Sequence, residues 1–142
     1  YLIYMMLSNK NEFNNLIKKD FNISNSINRV KNKEIIFYIG SRFIQDQNSE
    51  EYTLKMINKI QVQMEKSAIL ILKDLESIYP SLYDLFNQNF TVVSEKNYAR
   101  LSVGYSNNSF SLVNDEFKCI VIVNEKEIDD EEAPFLNRFD GV

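Results

Sequence analysis

The chain of 142 residues contains no histidine. Without an imidazole there is no Ser-His or Cys-His nucleophile–base pair and no conventional zinc site with His ligands. Cysteine is nearly missing too. Cys119 lies inside the apolar run 117–123, so no intrachain disulfide can form, and a buried structural thiol is favoured over a nucleophile. Only three glycines occur, Gly40, Gly104 and Gly141, and none precedes Lys-Ser or Lys-Thr, so these residues hold no G-x-x-x-x-G-K-[ST] phosphate loop. No apolar run approaches the roughly 20 residues of a membrane-spanning helix. The opening YLIYMML has no basic segment before it and no small-residue cleavage site after it, which argues against a secretory signal. Nor is there an excess of positive charge. A net charge of −4 argues against generic polyanion binding, so no nucleic-acid partner is expected; the short apolar runs leave no membrane span expected either, and a cytoplasmic location is the default.

What is present is ordinary for a globular α/β chain: 44% hydrophobic and 25% charged residues, at a length that makes one domain or a piece of one. An initial Tyr and the ending APFLNRFDGV, which carries no visible final helix or strand, point to a segment of something longer. In residues 1–21, Leu2, Ile3, Met6, Leu7, Phe13, Leu16 and Ile17 recur at spacings of three and four, the pattern of a broken helix. The Asn- and Ser-rich stretch 22–32 reads as a loop, so 1–33 is a helical and loop lead-in to a core at 34–142. Within that core, 34–39 (EIIFYI) reads as a buried strand closed by Gly40-Ser41, and Asn48 with Glu51 as a capping box opening a helix to about Lys66. Ala68–Leu72 reads as a strand covered on both faces, and Pro80 suits the first turn of a helix striped by Leu82, Leu85 and Phe86. Strand, helix, strand, helix is the alternation of a parallel α/β unit. Thr91–Ser94, Tyr98–Val103 and Ser109–Val113 read as short strands of an inserted β-hairpin or small meander, and 117–123 as a third buried strand.

Three groups stand where chemistry is placed in such sheets, beyond the carboxyl ends of the strands. Asp74 and Glu76 follow the 68–72 strand. One carboxylate there can hold Mg²⁺ through water and a second can orient an attacking water. In an extended backbone, Leu75 between them puts both carboxylates on one face. Asn124 ends the next buried strand, where an amide can reach a γ-phosphate, and Arg138 sits between aromatics in FLNRFD, as a finger to a neighbouring phosphate or a surface ion pair. Taken singly, each is better read as an ordinary turn or surface residue. Their order is the layout of an AAA+ ATPase module, with an acidic Walker B strand end, a polar sensor and an arginine finger.

The resemblance narrows further. SLYDLFNQNF at 81–90, NYARLSVG at 97–104, DEFKCIVIV at 115–123 and FLNRFD at 135–140 resemble an AAA+ unit of the mysterin family, giant RING-type ubiquitin ligases with a dynein-like ATPase core. That resemblance implies a partial AAA+ three-layer fold, with a mostly parallel sheet and an inserted β-hairpin. It places Asp74 and Glu76 at the Walker B end, Asn124 at the sensor and Arg138 at the finger, and it implies ATP and Mg²⁺ as cofactors and neighbouring AAA+ modules as partners. The chain departs from the family pattern in the split Asp-Leu-Glu and in the missing phosphate loop, whose cradle must lie upstream or be lost. The leading expectation is therefore one part of an ATP-driven ring module, inactive as a fragment. A degenerate, non-hydrolysing spacer is the alternative, and an α/β interaction domain that uses the six carboxylates of 125–132 is a third.

Overall fold

A computed structural model of the chain describes residues 3–7, 34–103, 107–123 and 140–141. Two sheets carry the architecture. The larger is wholly parallel, in the order β2 (Glu34–Ile39), β3 (Ala68–Lys73), β7 (Lys118–Val123), β1 (Ile3–Leu7), β8 (Asp140–Gly141). The smaller is an antiparallel meander of β4 (Thr91–Val93), β5 (Lys96–Val103) and β6 (Asn107–Val113).

β3 and β7 are the apolar centre, as their unbroken hydrophobic sequences require, and Ile71 pairs with Ile120 in the ladder between them. Leu70, Leu72, Cys119 and Val121 point to one face of the sheet and join one core cluster. Ile69, Ile71 and Ile120 point to the other face and are buried as well. The first face is covered by α2 (Glu50–Met64) through Met56, Ile57, Ile60 and Met64, with Met56 and Ile57 adjacent and Ile60 and Met64 one turn further on along the same side of the helix. The inner face of the meander, with Ala99, Leu101 and Val113, closes the same core beside Phe117.

Ser49 caps α2 by accepting a hydrogen bond from the Tyr52 amide at 3.3 Å, so the cap lies one residue after the Asn48 that the sequence favours. At the other end, Asn114 donates its amide to the Met64 carbonyl at 2.8 Å, and Ser67 Oγ donates to Glu116 Oε2 at 2.9 Å, tying the helix exit to the turn that feeds β7.

Four local expectations are corrected. Ile3–Leu7 is a strand held between β7 and β8, so its apolar residues follow the demands of a sheet interior rather than a helical stripe. β2 is buried on one face only. Ile36 and Tyr38 pack on the core, whereas Ile35, Phe37 and Ile39 are 45%, 51% and 60% exposed on an outermost strand. The helix around Pro80 is one 3₁₀ turn (Tyr79–Leu82) followed by a single α turn, α3 (Tyr83–Phe86), which together bury Tyr79, Leu82, Leu85 and Phe86. The chain also ends in a short strand, β8. A further short helix, α1 (Ile44–Gln47), links β2 to α2.

Candidate functional site

The carboxyl end of β3 is built against the end of β2. Gly40 donates its amide to the Lys73 carbonyl at 2.8 Å, and a Cβ added at Gly40 would stand 1.5 Å from the Asp74 carbonyl oxygen. Beside it, the Ser41 amide donates to Tyr52 Oη at 2.8 Å, and Ser41 Oγ donates to Asp46 Oδ2 at 2.5 Å. The β2 exit is thereby clamped to α1 and α2. Sequence reasoning took Gly40-Ser41 only as the close of a strand. The tight approach to Asp74 was not visible there, because it is a contact across two strands.

Asp74 lies at the expected place, one residue past β3, but not in the expected conformation. Its φ is +54°, the left-handed region that Asp tolerates better than most residues, so the strand does not continue extended through it. Leu75 turns inward and is buried, while Glu76 falls on an exposed turn in which the Leu75 carbonyl accepts from the Ile78 amide at 2.9 Å. The two carboxylates are therefore not neighbours on one extended face, and that expectation is corrected. Asp74 Oδ2 is enclosed without a hydrogen-bond partner, and the Arg42 guanidinium stands 3.9 Å away with 86% of its side chain exposed. At that separation the pair is a weak electrostatic contact and not a hydrogen bond.

Tyr79 lies below this turn, 4% exposed, its ring edge-to-face with Phe86 at 5.9 Å. Burial, and then the nearby Glu76 carboxylate, push its phenol well above the ordinary range. The Cys119 thiol is pushed up to about 12 by burial alone, so it is a core side chain and no nucleophile near neutral pH.

Asn124 and Arg138 lie outside the described residues, as does the acidic run 125–132. Among the described residues no three carboxylate or thiol side chains converge. One carboxylate suffices for Mg²⁺ only where nucleotide phosphates and water complete its octahedron. The described residues do not make a Mg²⁺ site by themselves, and the metal expected at Asp74 depends on a phosphate cradle elsewhere. No helix among the described residues is long and apolar enough to cross a membrane.

Comparison with known proteins is consistent with this architecture. A family model for the RNF213 AAA domain matches residues 3–141. The chain is 35% identical to the E3 ubiquitin-protein ligase RNF213 of Mus musculus over 111 residues, 75% of this chain, and 36% identical to that of Homo sapiens over 97 residues, 67% of this chain. It is 29% identical over 143 residues, 96% of this chain, to a Dictyostelium discoideum protein named as an uncharacterised transmembrane protein. In each case the chain spans only 2% of the relative's length.

Proposed function

The chain belongs to the RNF213 AAA domain family, and on that premise we propose that it is a ring module whose own nucleotide site is degenerate, so that it serves as a structural unit between neighbouring AAA+ modules. What carries this reading is the place of β1. In an open parallel sheet, ligands bind beyond the carboxyl ends of the strands at the point where the strand order reverses. From β1 the chain steps to the far edge at β2 and returns through β3 and β7, and β8 then adds on the opposite side of β1. The reversal is at β1, and a phosphate loop belongs directly after it, between that strand and the next helix. The residues that follow Leu7 are SNKNEFNN, and no glycine occurs before Gly40. A run without glycine lacks the residues that let backbone N–H groups close around a phosphate. The cradle is therefore sought within this chain, not upstream of it, and its sequence there is lost.

A hydrolysing module remains the second reading, favoured by one observation: Asp74 stands at the end of β3, separated from β1 by β7 alone, which is about 10 Å at ordinary strand spacing. In that reading Mg²⁺ is held at Asp74, Glu76 orients water, Asn124 senses the γ-phosphate and Arg138 reaches a neighbouring site.

Calorimetry decides between them. Mg-ATP titrated into the chain is expected to give no saturable heat up to millimolar nucleotide. In the longer protein, Glu76→Gln is expected to leave the ATPase rate unchanged. Micromolar binding by the chain, or a tenfold fall in rate, would overturn the structural reading.

A further inference from the structure

The outer face of the meander has no part in the reading above. The ladder pairs place Thr91, Val93, Lys96, Tyr98, Arg100, Ser102, Asn108, Phe110 and Leu112 on it, while Ala99, Leu101 and Val113 face the core. Two properties set this face apart. First, it is apolar and concave at its centre. Thr91, Val93, Tyr98 and Phe110 line an open slot of about 390 Å³, and Phe110 and Val93 are 57% and 53% exposed. A lone exposed apolar side chain needs no explanation, but Val93 and Phe110 exposed together around one slot with Tyr98 and Thr91 have the form of a contact site. Second, the charge on this face is reversed relative to the chain. Its two ionised side chains are Lys96 and Arg100, and no carboxylate stands at any of its nine positions; with the Asp84 carboxylate that Arg100 holds from α3, the face carries one net positive charge, whereas the whole chain carries −4. Arg100 is held in place: its Nε donates to Asp84 Oδ2 at 2.7 Å, Asp84 being 16% exposed and Arg100 51%. Arg100 pairs with Phe110 in the ladder and Lys96 pairs with Val93, so the two cations stand at opposite ends of the slot.

We propose that this face docks an extended peptide segment of another protein or module, one that places a large apolar side chain in the Thr91–Val93–Tyr98–Phe110 slot and carboxylates on either side of it, against Lys96 and Arg100. Charge complementarity selects this occupant. A basic segment would meet Lys96 and the half-exposed Arg100 guanidinium, whose Nε alone is taken by Asp84, and a neutral apolar one would leave Lys96 without a carboxylate. An apolar anchor in a slot with charged flanks is a recurrent form of peptide recognition, in which the anchor supplies affinity and the charges supply orientation and on-rate.

The test titrates fluorescently labelled peptides into the chain at 50 mM salt. DEDFLDED is expected to bind saturably in the range of tens of micromolar, and DEDSSDED and KRKFLKRK at least tenfold more weakly. Phe110→Ser and Lys96→Glu change exposed side chains of the sheet and are each expected to weaken DEDFLDED at least fivefold with circular dichroism unchanged. Raising salt to 300 mM should weaken it severalfold. If Phe110→Ser fails to fold, Phe110→Leu with Lys96→Glu supplies the same comparison. Absence of saturable binding, equal binding of the basic peptide, or indifference to the substitutions overturns the proposal. So does preferential binding to anionic lipid vesicles, or a dimer in sedimentation that Phe110→Ser dissolves.

Discussion

A methyl group on Gly40 has nowhere to go, because its carbon would lie 1.5 Å from the backbone oxygen of Asp74, and backbone yields less readily than the end of a side chain. Gly40→Ala must therefore part the ends of β2 and β3. We expect a loss of about 3 kcal/mol in urea unfolding, the upper end of overpacking costs. Cys119 makes a prediction in pH. Its folded value is raised from 9.0 to about 12, so above pH 9 the unfolded thiol loses its proton while the folded one keeps it. This contribution is complete below pH 9 and falls as pH rises towards 12, at up to about 1.4 kcal/mol per pH unit. Tyr79, raised in the same direction, adds to the fall at higher pH. Urea midpoints measured between pH 8 and 10.5 should decline, less steeply in Cys119→Ala, and iodoacetamide should label Cys119 only when the protein unfolds.

Among the elements, the β4–β5 hairpin carries its strain at the tip. Val93 pairs with Lys96, leaving a two-residue loop in which Ser94 and Glu95 both have positive φ, 49° and 63°. That is the type I′ form, which matches the twist of the flanking strands and favours Asn-Gly. The double substitution Ser94→Asn, Glu95→Gly is expected to stabilise the chain by about 1 kcal/mol, read as a rise in the urea midpoint at constant slope. The hairpins were legible because turn residues and alternating strands are local signals. The fate of Ile3–Leu7 was not legible. A short apolar segment satisfies a helical stripe and a buried strand equally well, and its partners β7 and β8 lie more than a hundred residues away in sequence. β2 was misread for the related reason that an apolar run does not say whether one face or two will be covered.

For the molecule as a whole, the parallel order places β1 at the reversal of the sheet and Asp74 at the end of a strand one removed from it. If the nucleotide site is degenerate, Asp74→Asn should cost less than about 1 kcal/mol, since Asn also tolerates the left-handed backbone and Oδ2 makes no hydrogen bond. Mg-ATP should then shift the thermal midpoint of neither form. A nucleotide-dependent rise in the parent chain that vanishes in Asp74→Asn would restore the hydrolytic reading.

The sequence by itself determined the class of the fold, the buried strands at 68–72 and 117–123, the inserted meander and the family, because each rests on apolar runs, turn residues or motifs a few residues long. It also determined that no phosphate loop is encoded, because glycine is countable. Tertiary structure alone decided that β1 stands at the reversal of the parallel sheet, that Asp74 and Glu76 part company at a left-handed residue, and that Lys96, Arg100 and Phe110 share one face of a sheet. Those facts depend on strand order, backbone dihedrals and register, which are set by contacts between residues distant in the chain.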